Sequence, residues 1–327
     1  MTALEVPSPL NSRARVVALD QFRGLLLLLM MLENVLSMYS FMPAALTRSG
    51  IYGILHIADL GAPMFFFTMG VALGLSFEVY VERNRVRAGA LRFLRRNFFL
   101  ILVGTVGVMI EHHNPLHDWS VLQAIGGAGI VALLFIRLPA RWRWVVGLML
   151  MIMFQMIVAV GYGTWLRAHD GGGLGGMLGG LVWGGIALFG SSVSEVLRSN
   201  WSRFRRLSLS MATVSALLVR LLMQFQMLDK RLATLPYLAL TIALAALIMF
   251  CFAAIDRRWH AHSWLFSVLG ANALLILTIQ GLFVTFGSQY IPPQTPILPA
   301  LLISASVFAL CIGSAGWLYH KKIFLRL

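Results

Sequence analysis

Apolar residues in this chain come in long runs, separated by short polar stretches in which arginine predominates. Ten runs are long enough to cross a hydrocarbon core of roughly 30 Å as helices. They fall near residues 18–40, 54–79, 96–111, 120–137, 144–163, 174–194, 207–228, 236–255, 264–287 and 297–319. The run at 96–111 is the shortest and must extend into its flanks or stand with little tilt. The pattern predicts an all-α fold, a polytopic transmembrane helical bundle of about ten spans, with residues 1–327 forming a single integral membrane domain. Its N-terminal half, 15–137, bears the unusual polar residues, and its C-terminal half, 144–327, is plainer helix. The longest connection is about 17 residues, which leaves no room for a catalytic domain outside the bilayer. Any chemistry has to be built among the helices.

Two runs break the apolar rule. The first reads Ala18-Leu19-Asp20-Gln21-Phe22-Arg23-Gly24, then five leucines, then Met30-Met31-Leu32-Glu33-Asn34. The second reads His56-Ile57-Ala58-Asp59-Leu60-Gly61-Ala62-Pro63, then Met64-Phe65-Phe66-Phe67-Thr68-Met69-Gly70. An ionisable side chain at the bilayer centre costs roughly 2.5–3.5 kcal/mol on insertion scales, so such residues face a protein interior or a watery cavity. At about 100° per residue, Asp20, Arg23 and Asn34 share one helix face within about 60°, while Glu33 points elsewhere. His56 and Asp59 share a face of the second run with Pro63, Gly70 and Gly74. They are one turn apart, where a carboxylate can orient an imidazole and raise its basicity, as a general base requires. If the two spans pack antiparallel, His56 and Asp59 reach the depth of Glu33 and Asn34, and Asp20 and Arg23 lie at the other end. The plainer reading is a hydrogen-bonded cluster that joins two helices.

The formal charge of +14 brings nucleic acid to mind, but its distribution points to the membrane. Basic residues gather in alternate connections: Arg83 to Arg96, Arg137 to Arg143, Arg198 to Arg206, Arg257 with Arg258, and Lys321 to Arg326. The intervening connections hold only Arg48, Arg167, Lys230 and Arg231. This positive-inside pattern puts both termini in the cytoplasm. The expected partner is the lipid bilayer and not nucleic acid, since no basic–aromatic platform exists. A bacterial inner membrane suits the short connections, and a homo-oligomer is compatible with them. With no cleavage site after it, the first span reads as retained. Cys251 and Cys311 fall inside predicted spans and read as small packing residues.

Other stretches carry thinner signals. Glycines between Gly171 and Gly185 recur four apart (175/179, 176/180, 180/184), which makes a smooth strip for close helix packing. A phosphate cradle would need a preceding strand and a following lysine. The basic stretch 83–96 reads as a cytoplasmic loop, an interfacial helix, or a docking surface for a phosphorylated ligand such as coenzyme A, with Arg92, Arg95 and Arg96 as the forks. His112, His113, His117 and Asp118 crowd one connection, but the Asn114-Pro115 turn denies them regular ligand spacing, so no metal is expected. Gln123 opens the fourth span as an external polar contact. Arg220 falls mid-run in the seventh and needs a partner, with Glu33 the first to test.

Several blocks are also familiar. Ala18-Leu19-Asp20-Gln21-Phe22-Arg23-Gly24 with Asn34 resembles the opening motif of the heparan-alpha-glucosaminide N-acetyltransferase family. Ala58-Asp59-Leu60-Gly61-Ala62-Pro63 and the Phe-rich stretch after it resemble the family's second-helix block. Trp119-Ser120-Val121-Leu122-Gln123 is similar to its Gly-Val-Leu-Gln stretch, with serine where glycine is usual. Leu269-Gly270-Ala271-Asn272-Ala273-Leu274 resembles a late Leu-Gly-x-Asn-x-Leu segment. The resemblance implies a multi-span enzyme that moves an acetyl group from cytosolic acetyl-CoA to an amine or hydroxyl acceptor (sugar, glycan or lipid-linked) on the far side. By motif position it implies roles for His56 and Asn34. His56 stands three residues before Asp59, closer than is usual in the family, and the tryptophan motif that often follows the histidine is absent.

On this reading His56 is the general base, Asp59 orients it, and Asn34 meets the developing oxyanion. Glu33 and Gln123 contact the acceptor, and Asp20, Arg23, Arg92, Arg95, Arg96 and Arg220 hold acetyl-CoA. Two rivals use the same residues differently. A transporter or flippase would use the buried Asp, Glu, His and Arg as a relay. A scaffold would use them only as helix glue. Binding of acetyl-CoA separates the first reading from both.

Overall fold

The computed structural model describes residues 16–43, 54–83, 85–112, 119–169 and 174–322. The described residues are helical with no strand among them. In chain order the helices are α1 (Val17–Leu36), α2 (Gly61–Glu82), α3 (Val86–His112), α4 (Val121–Phe135), α5 (Ala140–Ile157), α6 (Gly163–His169), α7 (Gly179–Leu197), α8 (Trp201–Leu222), α9 (Leu235–Trp259), α10 (Trp264–Ala271), α11 (Ala273–Tyr290) and α12 (Ile297–His320). A 3-10 turn, Ile57–Leu60, leads into α2, and a π turn, Val158–Tyr162, joins α5 to α6.

Among the described residues, six helical segments are long and apolar enough to cross a membrane: Ile57–Glu82, Val86–Ile110, Ala140–His169, Gly179–Leu197, Leu235–Trp259 and Ile297–His320. A seventh follows if α10 and α11, bent by 83° where they meet, count together. The sequence pattern predicts ten, and the three remaining runs show why the two numbers differ. The α1 helix is long, but Asp20, Arg23 and Glu33 dilute its apolar character. Helix α4 has only 15 residues. Helix α8 begins well before its apolar run, with Arg203, Arg205 and Arg206 exposed in its first turns.

Three boundaries move in ways that matter for the site. The run expected at 96–111 extends back to Val86, so the basic stretch is the opening of a long helix and not a loop. Phe93, Asn97 and Leu100 are buried at helical spacing, and Arg87, Arg92 and Arg95 stay exposed on the other side. Asn200 starts α8, its side chain accepting the Arg203 N–H at 2.9 Å, so Arg220 falls in the last turn rather than mid-span. The run at 264–287 breaks at the buried Asn272, whose backbone (φ −124°, ψ 37°) leaves the helical region.

Helix α7 is the hub, packing against α2, α4 and α5. A Cβ on Gly70 of α2 would stand 1.9 Å from the Ala187 carbonyl oxygen, and one on Gly190 would stand 2.1 Å from that of Phe67. The two backbones therefore touch, which only small residues permit. The glycine strip is offset from the one expected. Gly175 and Gly176 sit in the turn before α7 at positive φ, and packing onto α4 starts at Gly180 and continues at Gly184. Gly171 to Gly173 lie outside the described residues. Trp183 of α7 is fully buried, stacks on Phe66 at 5.1 Å and donates its indole N–H to the Leu174 carbonyl at 2.7 Å. A second backbone contact joins α1 to α10, where a Cβ on Gly270 would stand 1.9 Å from the Asp20 carbonyl oxygen.

Gly70→Ala should lower stability by about 2 kcal/mol or more, because the added methyl meets backbone that cannot yield. Gly107→Ala, in α3 with nothing within 4 Å, should be neutral or stabilising by up to ~1 kcal/mol. Thermal unfolding in detergent checks the pair.

Candidate functional site

The end of α1, the turn before α2 and the connection from α8 to α9 meet at one end of the bundle. Asp59, in that turn, is fully buried. Its Oδ2 accepts the main-chain N–H of His56 at 3.0 Å. Its Oδ1 lies 3.3 Å from the Lys230 ammonium, which is also 3.8 Å from Oε1 of Glu33. The Tyr237 hydroxyl, from the first turn of α9, donates to the Asp59 main-chain carbonyl at 2.5 Å. Two carboxylates from the two motif helices thus converge on one cation. Burying any one of these charges alone would cost several kcal/mol, so the three depend on one another.

The connection that delivers Lys230 is held at many points. The Asp229 carboxylate accepts the Leu232 N–H at 2.8 Å, and the Thr234 hydroxyl accepts the Asp229 N–H at 3.0 Å. From α5, the Gln155 amide donates to the Leu232 and Ala233 carbonyls at 3.1 and 2.7 Å. Gln226 donates to Gln155 at 3.0 Å and accepts the Leu235 N–H at 3.2 Å. Ala233 sits in the left-handed region at φ 43° and is fully buried. Burial pushes the Asp229 carboxyl up from its ordinary value, opposed by the Leu232 N–H and the charge of Arg231.

Glu33, Asn34 and Lys230 line a small, narrow cleft, walled by Met30, Ala62, Val121 and Leu174. Glu33 and Asn34 therefore border the same opening, although helical phase separates them; both sit near the end of α1, where flanking side chains can reach round its tip. His56, three residues ahead of Asp59, is half-buried and, like Gln123, is not among the residues lining the cleft.

A second polar group lies deeper. The Arg23 guanidinium of α1 sits over the Phe65 ring at 5.7 Å, and that of Arg96, from α3, over Phe93 at 5.3 Å. Arg96 donates to the Asn97 side-chain oxygen at 3.3 Å and feels the charges of both Arg23 and Arg92. Arg92, one turn earlier and exposed, donates to the Tyr80 hydroxyl at 3.3 Å. Among the described residues, Arg96 Nε and Asn97 Nδ2 are buried without a hydrogen-bond partner. A buried guanidinium with a spare donor, in the field of two further arginines, suits an anion with several oxygens.

Other expected residues fall elsewhere. Gln123 is fully buried and its polar atoms cap α4: Oε1 accepts the Ser120 N–H at 2.7 Å and Nε2 donates to Thr105 at 3.0 Å. It is not among the residues lining the cleft. Arg220 is exposed in the last turn of α8, and the cation that meets Glu33 is Lys230. Arg95 is exposed on α3, and Asp20 is half-buried near the start of α1. His113, His117 and Asp118 lie outside the described residues, as does the His112 side chain. At the opposite end, Arg143, expected in a loop, is buried and donates to the Ser191 carbonyl and hydroxyl, both at 2.9 Å, while pairing with Glu195. That network locks α5 to α7.

A family model for the catalytic region of heparan-alpha-glucosaminide N-acetyltransferase matches residues 15–221, more than half of the chain. The chain belongs to this family. No curated protein matches it. Membership in the N-acetyltransferase family makes the chain a membrane acetyltransferase by class. The matched region takes in both motif helices and the arginine group on α3, and it stops short of Lys230 and Tyr237. Those two residues escape a reading by motif. Composition offers one signal: Lys230 is one of three lysines in an arginine-rich chain, the others being Lys321 and Lys322.

Asp229→Asn keeps an acceptor for the Leu232 N–H and removes the cost of ionising a buried carboxyl. The Asp229 carboxyl is raised in the fold, so its ionisation above the ordinary carboxylate range works against the native state. The variant should match or exceed the parent in stability at neutral pH, with the advantage vanishing as pH falls into that range. Thermal unfolding across pH checks the sign.

Proposed function

We propose that the protein transfers the acetyl group of acetyl-CoA, bound from the cytoplasmic side, to an amine or hydroxyl acceptor in the cleft at the far side. The observation that carries the reading is the family match over residues 15–221, which includes Asn34, His56, Asp59 and the arginines of α1 and α3. Arg96 and Asn97, with Arg23 and Arg92 adding positive charge, suit the phosphates of coenzyme A, because the buried Arg96 Nε and Asn97 Nδ2 offer donors to an anion. From Arg23 to Asn34 the α1 helix rises about 16 Å, a distance an extended pantetheine arm covers. If each of the ten apolar runs crosses the membrane, both ends of the helical region lie on one side, and the arginine-rich connections make that side the cytoplasm.

In the cleft, the acceptor loses its N–H or O–H proton to the His56 imidazole and attacks the thioester carbonyl carbon. The carbon–sulfur bond breaks and coenzyme A leaves as thiolate. The Asn34 amide donates to the carbonyl oxygen as charge develops there. Asp59 holds the turn that carries His56, through the main-chain amide it accepts from.

The test uses purified protein with labelled acetyl-CoA and glucosamine as acceptor. His56→Ala should abolish transfer while retaining acetyl-CoA binding. Arg96→Gln should weaken acetyl-CoA binding by about 10- to 100-fold, the loss of one charged fork, with kcat within a few-fold. Undiminished transfer by the His56 variant, or a parent protein that binds no acetyl-CoA, contradicts the reading.

A further inference from the structure

The group that joins the two motif helices comes from outside the matched region. We propose that Lys230 is a positioning residue of the transfer site: its ammonium holds the Asn34-bearing helix and the His56-bearing turn in register. The role rests on the acetyl-transfer reading above.

Three observations converge on it. First, the Asp59 carboxylate is shared between the His56 main chain and Lys230, so displacing the ammonium frees one side of the turn. The same ammonium reaches Glu33, the residue next to Asn34. Lys230 thus ties the carboxylate that holds the His56 main chain to the residue next to Asn34, and it borders the cleft itself.

Second, the connection is built to place this side chain. A segment that merely linked α8 to α9 would need no buried Asp229, no Gln155 reaching in from α5, and no residue at positive φ. Each of these fixes backbone within four residues of Lys230. Tyr237 then grips the Asp59 carbonyl from the same segment, so the turn before α2 is clamped twice by residues of one stretch.

Third, the residue type fits. An ammonium is a compact charge on a flexible stem, suited to sitting between two carboxylates from different directions, whereas a planar guanidinium favours one carboxylate face-on. The chain uses arginine almost everywhere else.

A purely compensating charge would make the same ion contacts but leave transfer indifferent to the geometry of the group at position 230. Three variants separate the two: Lys230→Met, Lys230→Arg, and the double variant Glu33→Gln with Lys230→Met, which restores the parent's net charge in the cleft. Acetyl-CoA and glucosamine serve as substrates, with thermal unfolding measured alongside. Lys230→Met should lower kcat by about 100-fold through misplacement of the reacting groups, with the KM for acetyl-CoA within about threefold. Lys230→Arg should stay within about tenfold of the parent, and the double variant should regain thermal stability without regaining kcat. Recovery of kcat by the double variant, or parental kcat in Lys230→Met, would overturn the role. A parent that transfers nothing and binds no acetyl-CoA defeats the acetyl-transfer reading itself, and this role with it.

Discussion

One ammonium ion between two carboxylates, inside a bundle of apolar helices, sets the terms for everything around it. Lys230 is only 10% exposed, and Glu33 and Asp59 are more deeply buried still. None of the three is tolerable there alone, because an unpaired buried charge loses its hydration without compensation. Together they bind the end of α1, the turn before α2 and the approach to α9. These are the parts that carry Asn34, His56 and Tyr237. The cleft exists because those parts meet there and nowhere else.

The rest of the fold keeps that meeting in place through backbone contact. Between lipid-facing helices there is little hydrophobic drive to associate, so close packing by small residues supplies the attraction. Gly70 against Ala187 and Gly190 against Phe67 press α2 onto α7, and Gly270 presses α10 onto α1. Arg143 with Ser191 and Glu195 pins the opposite end of α7 to α5. The motif helices are thus held along their length.

Much of this could be read from residue order. Long apolar runs announced the helices, and the phase of Asp20, Arg23 and Asn34 marked α1 as more than an anchor. Depth matching foresaw that Glu33 and Asp59 would share a neighbourhood, which their common contact with Lys230 now makes concrete. Other features were hidden because they depend on long-range contacts. Arg143 looked like a loop residue, since nothing in its own surroundings points to Glu195 or Ser191. Arg220 looked buried because apolar residues surround it in sequence, whereas α8 starts earlier and ends just beyond it. Gln123 looked available to a ligand, but the capping of α4 is a local demand that a serine three residues earlier already signals. Lys230 stayed out of view because a lysine between helices ordinarily faces solvent, and only the folded connection turns it inward.

The proposed transfer is two-sided, with the donor held among arginines at one depth and the acceptor met near Lys230 at the other. The most direct measurement reconstitutes the protein in sealed vesicles, with glucosamine trapped inside and labelled acetyl-CoA added only outside. Acetylated glucosamine accumulating inside intact vesicles is the predicted result. Detergent-solubilised protein that acetylates glucosamine, yet leaves the trapped pool untouched when vesicles are intact, would contradict it.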